Sequence, residues 1–474
     1  MTTLTSTSPV AAWDSTRRKS CFATLPGGHY PASRESWVTI AAPESPQETP
    51  PENVATQVNE TTYFDTPLKT LEAVPDVTVA VIGTGYVGLH LVETFSRAYD
   101  VIAFDVSEQR IQEVQLRVGK NVTCTSDPTS LAEATHFLVS VSTVVKQHQR
   151  TIDISCIQMA IETITTYARP GSTVVIESSV AVGMTRDLLA PLLRSKSLLC
   201  GMSPERVDPG RTFPAYESIP KIISGLDEAS LSSIRELYSR VFENLVPVSK
   251  PEVAEMTKLY ENCQRMMCIA FANEMADACG SLSRSLSEKS LTGEEVDIVP
   301  WEVASAAATK PFGYQPYTPS LGVGGHCIPV NPYYLLSNAQ FPLLEACTKR
   351  MEERPARIGD RIMASLSSKV DRRPRILIVG LGFKQGQSVL SNSPGKALAV
   401  HLLSTYDAWV EFADPLVRQN AVPFLPRFDD HQWSISSLQS FDAILVAVEQ
   451  PGYDYSLLDS LPAQGTYVEW FCRR

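Results

Sequence analysis

The 474-residue sequence predicts an α/β protein with two Rossmann-like, doubly wound domains joined by a helical middle. The first observation is the segment VTVAVIG (77–83), an apolar, β-branched run ending in glycine, which is typical of a buried parallel strand. The second is a similar strand-and-glycine start at RILIVGLGF (375–383). The third is a helical stretch from about 252 to 278 that contains neither glycine nor proline. Further strands are predicted at VIAFD (101–105), HFLVSVS (136–142), STVVIESS (172–179), WVEFADP (409–415) and FDAILVAV (441–448).

These patterns divide the chain into four parts. The N-terminal part is rich in Pro, Ser and Thr, and its stretch APESPQETPPENVATQ cannot bury enough apolar surface to offset chain entropy, so we expect a disordered arm. A Gly- and Pro-rich loop at 310–331 follows the helical stretch. The predicted boundaries are 1–74 for the arm, 75–248 for the first Rossmann domain, 249–355 for the central helical domain and 356–474 for the second Rossmann domain.

Composition argues against several classes of partner. The net charge of −11 argues against a nucleic-acid partner, because a phosphate backbone is held by clustered Lys and Arg. No apolar run reaches the roughly 18 residues of a membrane span, and no secretory signal is evident. The ten cysteines form no CxxC pair, so we expect neither a zinc site nor a disulfide framework, but a reducing, cytoplasmic setting. The cluster Arg17-Arg18-Lys19 in a Ser/Thr-rich arm leaves a transit peptide as an alternative.

A glycine-rich hexapeptide lies between the first strand and its helix. It reads Gly83-Thr84-Gly85-Tyr86-Val87-Gly88, and Asp105 closes the next strand 22 residues after Gly83, near the ~20 that a dinucleotide-binding fingerprint requires. A carboxylate there would accept hydrogen bonds from a ribose diol and repel a 2′-phosphate. The pattern therefore predicts NAD as the cofactor, the alternative being a glycine turn in a non-binding fold. The second unit lacks the fingerprint, and Lys384 in its loop suits a phosphate ligand better than a dinucleotide.

A thiol lies in a second glycine-rich segment. Cys327 follows Gly322-Val323-Gly324-Gly325-His326, whereas a structural cysteine is more often found in a periodic apolar segment. In a protein that binds NAD, such a thiol can add to an aldehyde and become a thioester when a second hydride leaves. Lys258 and Asn262 lie four residues apart on one helix face and could stabilise the oxyanion, although many such pairs are only solvated. β-Hydroxyacid dehydrogenases have a similar Lys-xxx-Asn pair but no essential thiol, so Cys327 separates the two interpretations.

From about residue 77 to its C-terminus the sequence resembles the UDP-glucose/GDP-mannose dehydrogenase family. The resemblance implies an NAD-binding domain, a central helical dimerisation domain and a C-terminal domain for the nucleotide of the sugar. The segments that carry it are GTGYVG (83–88), DVSEQR (105–110), SPERVDPG (203–210), EMTKLYENCQR (255–265), TKPFGY (309–314), GVGGHCIP (322–329) and GLGFK (380–384).

The resemblance also implies residue roles. Cys327 would be the nucleophile and Lys258 with Asn262 the oxyanion pair. Glu205 corresponds to a glutamate that acts in thioester hydrolysis, the alternative being a buried, salt-bridged carboxylate, and Ser179 replaces a threonine that orients water. The remaining candidate contacts are Gly83, Gly85, Tyr86, Val87, Gly88, Asp105, Arg110 and Thr143 for the cofactor, and Arg206, Lys310, Gly324 and Lys384 for the substrate.

Two segments, SPERVDPG and the stretch from Thr309 to Val330, resemble the UDP-N-acetylhexosamine branch of the family more than the UDP-glucose branch. We therefore expect a UDP-N-acetylhexosamine 6-dehydrogenase, with UDP-glucose 6-dehydrogenase as the alternative. Three departures from the family pattern leave an impaired nucleotide-sugar binder as a further alternative. Asn331 replaces an Asp and cannot accept a proton, Cys268 replaces an Asn, and Ser391 replaces an Arg.

The helical stretch also predicts assembly, because it is apolar on more than one stripe and must pack on two sides. The family uses this helix for dimerisation, so we expect a homodimer or an assembly of dimers. The alternative is a helix buried within its own chain. The apolar residues concerned are Val253, Met256, Leu259, Cys263, Met266, Met267 and Ala270.

Overall fold

The computed structural model describes residues 76–146, 151–208, 211, 213–367, 372–462 and 465–472. The predicted disordered arm, 1–74, lies outside these residues. Within the described part of the chain, no helix is long and apolar enough to cross a membrane.

The first sheet is built mainly from short apolar strands that are buried on both faces, as parallel strands covered by helices must be. Its eight strands have the order β10-β9-β8-β7-β4-β1-β2-β3, and β5 and β6 form a separate antiparallel pair. The section β3-β2-β1-β4-β7-β8 is parallel throughout and has the doubly wound order, whereas β9 runs antiparallel to β8. The strands are β1 Thr78–Ile82, β2 Asp100–Phe104, β3 Val122–Thr125, β4 His136–Val139, β5 Val144–Lys146, β6 Thr151–Asp153, β7 Thr173–Ile176, β8 Leu199–Met202, β9 Lys221–Gly225 and β10 Leu245–Pro247.

Five helices belong to this unit, and two apolar clusters accompany the sheet. One cluster includes Ile82, Phe137 and Ile176, and the other includes Val81, Leu138 and Val175. Consecutive residues of a strand therefore point into opposite layers, as the two-residue period of a strand requires. The helices are α1 Tyr86–Phe95, α2 Glu108–Gln115, α3 Ser155–Tyr167, α4 Met184–Lys196 and α5 Glu228–Tyr238, with 3-10 turns at Pro128–Glu133 and Tyr216–Ser218.

The helical middle is organised around one long helix, α6 Pro251–Lys289, whose 39 residues span about 58 Å. Pro251 lies in the first turn of α6, where backbone N–H groups have no acceptor within the helix, so the missing N–H of proline costs no hydrogen bond. Helix α9 packs along α6, and Arg354 of α9 bonds Asp277 of α6 through both carboxylate oxygens at 2.8 Å. The shorter helices of this region are α7 Pro300–Ala308 and α8 Asn331–Leu336, followed by α9 Pro342–Ser367.

The second Rossmann-like unit has a four-stranded parallel sheet with the order β12-β11-β13-β14. Asp414, just after β12, accepts hydrogen bonds from the backbone N–H groups of Leu381 (2.7 Å) and Gly382 (2.9 Å). Because Asp414 is fully buried, it closes the loop internally instead of facing a ligand. The elements are β11 Arg375–Val379, α10 Pro394–Thr405, β12 Trp409–Ala413, α11 Ile435–Leu438, β13 Ala443–Val446, α12 Ser456–Asp459 and β14 Tyr467–Trp470, with 3-10 turns at Gln419–Ala421 and Asp430–Gln432.

The predicted fold class is confirmed: two parallel α/β units are joined by a helical middle. The sequence pattern did not predict the reversal of β9 against β8. It also placed the end of α6 too early, at about residue 278 instead of Lys289.

Candidate active site

The three glycines of the loop between β1 and α1 have different surroundings. Gly83 has φ +86°, a conformation that glycine adopts readily and other residues rarely do. A Cβ on Gly88 would lie 1.9 Å from the carbonyl oxygen of Gly83, so this glycine allows the helix to approach the strand. A Cβ on Gly85 would have no heavy atom within 4 Å. The backbone around Gly85 is therefore open, and it lies at the N-terminus of α1, where the helix dipole favours an anion.

Asp105 and Arg110 both brace this loop. The Asp105 carboxylate accepts hydrogen bonds from the Thr84 N–H (2.9 Å) and hydroxyl (3.2 Å). The Arg110 guanidinium donates to the carbonyl oxygen of Thr84 at 2.7 Å and pairs with Glu113 at 2.9 Å. Asp105 thus lies where the fingerprint requires it, whereas Arg110 contacts the loop through the Thr84 carbonyl oxygen.

Thr143 and Ser179 meet beside the carboxyl ends of β4 and β7. The Thr143 hydroxyl donates to the Ser179 carbonyl oxygen at 3.2 Å. Tyr334 of α8 is fully buried, and burial raises its pKa to about 12, with a further rise from the nearby Cys327 side chain. Thr143 and Ser179, two of the predicted site residues, are therefore in contact, and Cys327 lies close enough to Tyr334 to interact with it electrostatically.

The Cys327 loop is held against the second Rossmann-like unit. The Gly325 N–H donates to the Ser391 carbonyl oxygen at 2.8 Å, and the Asn392 amide donates to the Gly325 carbonyl oxygen at 2.9 Å. A Cβ on Gly324 or Gly325 would lie 2.8 or 2.9 Å from Phe383. Gly324 thus permits close packing of the loop, and Ser391, one of the departures, contributes its backbone to that packing.

Asn262 is connected to Cys327 through Asn331. The Asn262 side-chain amide donates to the Asn331 side-chain oxygen, and the Asn331 N–H donates to the Cys327 carbonyl oxygen at 2.9 Å. Asn262 is 8% exposed and Asn331 is 2% exposed, so the link is shielded from water. Two segments far apart in sequence, α6 and the Cys327 loop, are therefore joined at the predicted catalytic positions.

Glu205 lies in a buried ionic network. Lys221 contacts Glu177 at 2.6 Å and Glu205 at 3.2 Å, while Tyr238 donates to Glu177 and Tyr216 to Glu205. Burial alone would raise the pKa of Glu205, but Lys221, Tyr216 and then Lys258 outweigh burial and lower it.

Both oxygens of Glu205 are engaged, because the N–H groups of Arg206 (2.6 Å) and Val207 (2.7 Å) also donate to Glu205. The arrangement matches the alternative interpretation of Glu205 as a buried, salt-bridged carboxylate. It also places Lys258, through its electrostatic effect, near Glu205.

Of the predicted substrate-binding side chains, two form ion pairs within the protein and a third is exposed in a loop. Arg206 pairs with Glu261 of α6 at 2.6 Å, and Lys384 pairs with Asp208 at 3.1 Å. Lys310 is exposed in the 309–317 loop, with its ammonium 5.1 Å from the centroid of the Phe312 ring. Lys310 is therefore seen only in contact with its own loop, and its substrate role stays a prediction.

A cleft of about 890 Å³ opens beside the Cys327 loop. Thr143 comes from the first unit, and Ser391 and Lys396 come from the second, so the cleft lies where the three regions meet. It is lined by Ser142, Thr143, Met266, Val323, His326, Pro329, Val330, Tyr333, Thr348, Met351, Glu352, Pro355, Leu390, Ser391, Asn392, Ser393, Pro394, Lys396, Ala397 and Ala421.

Several residues near the site were not predicted. Lys221 is the first residue of the buried strand KIISG. A charged residue at the start of such a strand was the sequence signal that could have indicated a buried ion pair. Glu177, Tyr216, Tyr238 and Tyr334 carried no signal, because their contacts come from distant parts of the chain. Among the described residues, no group of three or more His, Cys, Asp or Glu is placed to hold a metal ion.

Comparison with known proteins places these features in one family. Residues 115–242 match the NAD binding domain of the UDP-glucose/GDP-mannose dehydrogenase family, and residues 252–349 match its central domain. Protein CapL of Staphylococcus aureus is 31% identical over 342 residues, which are 66% of this chain and 77% of that protein. The chain belongs to this family.

Two further relatives extend the comparison. A UDP-N-acetyl-D-glucosamine 6-dehydrogenase of Pseudomonas aeruginosa is 30% identical over 79% of this chain and 90% of its own length. The structure of a UDP-D-ManNAc dehydrogenase from Pyrococcus horikoshii superposes with a TM-score of 0.71, at 25% identity, covering 83% of this chain and 99% of that one. The predicted family, the dehydrogenase class and the NAD cofactor are thereby confirmed.

Proposed function

We propose that the protein oxidises the C6 alcohol of a UDP-N-acetylhexosamine to the uronate through a covalent bond to Cys327. The observation that carries the proposal is the hydrogen-bonded link from Asn262 through Asn331 to Cys327. It joins the helix of the predicted oxyanion pair to the loop of the predicted nucleophile. Relatives named for UDP-N-acetyl-D-glucosamine and UDP-N-acetyl-D-mannosamine support the sugar.

The reaction has two oxidations and one hydrolysis. Loss of a hydride and a proton converts the alcohol to an aldehyde. The Cys327 thiol then releases its proton to solvent as its sulfur bonds to the aldehyde carbon, and the former carbonyl oxygen becomes negative. Lys258 and Asn262 stabilise that oxygen. Loss of a second hydride gives a thioester, and water then breaks the carbon–sulfur bond to release the carboxylate and the thiol. Bound NAD⁺ would accept the hydride in each oxidation, held by the glycine loop, Asp105 and Thr143.

The remaining proposed assignments follow from the same placement. Tyr86 is 46% exposed at the first position of α1, so it faces outward beside the loop that would hold the cofactor, whereas Val87 is half-buried and packs against the core. We assign Gly324 and Lys384 to the substrate, since Gly324 packs against Phe383 of the second unit and Lys384 is the next residue of that unit. None of the described cysteines forms a disulfide, which supports a reducing, cytoplasmic location.

We further propose that the protein is a homodimer formed along α6. One stripe of α6 is buried in its own chain, including Leu259, Cys263 and Met266. A second stripe is apolar and exposed, and its residues recur at helical spacing along one face. They are Val253, Met256, Tyr260, Phe271, Met275, Leu282 and Leu286.

The stoichiometry of NADH tests the catalytic proposal. Two NADH per sugar consumed are expected with UDP-GlcNAc or UDP-ManNAc, with slower turnover of UDP-glucose. One NADH per sugar would indicate a simple alcohol dehydrogenase, and UDP-sugar binding without NADH would indicate the impaired binder.

A cysteine comparison tests the covalent step. Cys327→Ser is expected to bind NAD⁺ normally and to form no uronate. The control is Cys347→Ser, which changes a half-buried thiol on α9 and should leave turnover unchanged. Full turnover by Cys327→Ser would disprove the covalent mechanism.

A further inference from the structure

Asp208 lies between two cations from different parts of the fold. Its carboxylate contacts the Lys384 ammonium at 3.1 Å and the Arg265 guanidinium at 3.8 Å. Asp208 follows β8, Arg265 is on α6, and Lys384 follows β11. One side-chain anion thus joins the first unit to both the helical middle and the second unit.

Arg265 shares a helix face with the catalytic pair. Lys258, Asn262 and Arg265 are spaced by four and three residues, which places them in one row along α6. Lys384 carries the sequence signal for a phosphate ligand. Arg265 thus lies on the helix face of Lys258 and Asn262, and Asp208 brings Lys384 close to it.

The loop that carries Asp208 has a second attachment. Arg206 pairs with Glu261 at 2.6 Å and donates to the Pro220 carbonyl oxygen at 2.9 Å. These contacts hold the loop independently of Asp208. The Asp208 ion pairs are half-exposed, so each is weak by itself and a stronger anion can displace them.

We propose that Asp208 is an internal competitor of the substrate's diphosphate, and that Arg265 together with Lys384 binds that diphosphate once Asp208 has moved away. The inference rests on the proposed function, because it takes a nucleoside-diphosphate sugar as the ligand. Its physical basis is charge: a diphosphate carries more negative charge than a carboxylate and offers oxygens to both cations at once. Asp208 thereby sets the affinity for substrate without touching the reacting carbon.

Replacing Asp208 tests the sign of this effect. Asp208→Asn keeps the shape of the side chain and removes its charge, so UDP is expected to bind threefold to tenfold more tightly by calorimetry at low salt. The gain should shrink at high salt, because screening weakens exposed charge pairs. The control is Glu243→Gln, which removes the same charge at an exposed position elsewhere and should leave the UDP affinity unchanged.

The opposite result would overturn the inference. If Asp208 serves to orient Lys384 for the ligand, Asp208→Asn will bind UDP more weakly than the wild type. Unchanged affinity would also refute competition, as would a wild type and variant that both fail to bind UDP.

Arg265→Gln in the Asp208→Asn background tests the second half of the proposal. A loss of UDP affinity of at least threefold is expected if Arg265 binds phosphate. No change would show that Arg265 is only the partner of Asp208. If Asp208→Asn binds UDP more tightly but neither the wild type nor any variant produces NADH, this inference holds and the proposed function fails. If the protein produces NADH but Asp208→Asn binds UDP more weakly, the proposed function holds and this inference fails.

Discussion

The surroundings of Gly88 and Gly85 predict that the same substitution will have different effects at the two positions. In Gly88→Ala the new Cβ would lie 1.9 Å from the Gly83 carbonyl oxygen and 2.8 Å from the Ser140 hydroxyl oxygen. The Gly83 backbone cannot swing aside easily, because its N–H bonds the Phe104 carbonyl oxygen at 2.8 Å and its own carbonyl oxygen accepts from Ser140 at 2.7 Å. Overpacking of this kind costs about 1–3 kcal/mol, and we expect the upper end because backbone must move.

Gly85→Ala should leave stability nearly unchanged. Gly85 has φ −62°, which alanine adopts freely, and its Cβ would meet no neighbour. Alanine is a poorer helix N-cap than glycine, but it also reduces the entropy of the unfolded chain, and these terms of several tenths of a kcal/mol oppose each other. The added methyl group would nevertheless stand where a pyrophosphate approaches the backbone. NAD⁺ affinity should therefore fall at least tenfold, which corresponds to about 1.4 kcal/mol.

Calorimetry on both variants checks this pair of predictions. The unfolding midpoint should fall for Gly88→Ala and stay constant for Gly85→Ala, while the Gly85 variant should lose affinity for NAD⁺. Wild-type stability in Gly88→Ala would refute the argument from close packing. Wild-type NAD⁺ affinity in Gly85→Ala would show that the open side of the loop is not the cofactor side.

Three further predictions concern the Asn331 amide, the buried ionic network of Glu177 and Glu205, and the proposed dimer. Asn331→Asp introduces a proton acceptor close to Cys327, so kcat should rise severalfold if activation of water limits turnover. An unchanged or lower kcat would show that activation of water by this residue is not the limiting step. Burial raises the pKa of Glu177 to about 7, so the folded state holds its proton more tightly than the unfolded chain, and the resulting stability is present at low pH and lost as pH rises through about 7. Because the loss develops between the ordinary pKa of 4.5 and the folded-state pKa of about 7, urea unfolding below 4.5 and above 7 should show a loss of up to about 3 kcal/mol in the wild type. The loss should be smaller in Glu177→Gln, and equal losses would refute the assignment. Light scattering should give twice 52.0 kDa for the wild type and for the control Leu116→Arg, an exposed residue just after α2, but 52.0 kDa for Phe271→Arg/Leu282→Arg. An active wild-type monomer would disprove the proposed interface.

The sequence predicted those parts of the fold whose pattern is local. Strands such as β1 and β11 are continuous apolar runs ending in glycine, and their burial on both faces follows from that composition. Strand β9 was missed because KIISG begins with a charge and includes a serine, so its pattern is not that of a core strand. The end of α6 was missed because Gly280 and the polar residues after it weaken the helical signal.

The same distinction applies to the site. The spacing of Lys258 and Asn262 gives their shared face directly, and the glycines around Cys327 mark a loop. The contact between Lys221 and Glu205 depends on β9 running antiparallel to β8, which no local pattern encodes. The pairing of Lys384 with Asp208 likewise depends on how segments 176 residues apart are brought together.

Helix α6 carries both the predicted catalytic pair and the exposed apolar stripe of the proposed dimer. Lys258 and Asn262 lie near its start, and the exposed stripe continues to Leu286, about 40 Å further along the axis. Mutations in the proposed dimer stripe would therefore act on the same helix that carries the predicted catalytic pair. The proposed interface could therefore not be deleted without removing the helix that carries Lys258 and Asn262, and a compound that binds the exposed stripe is expected to inhibit without resembling a sugar nucleotide.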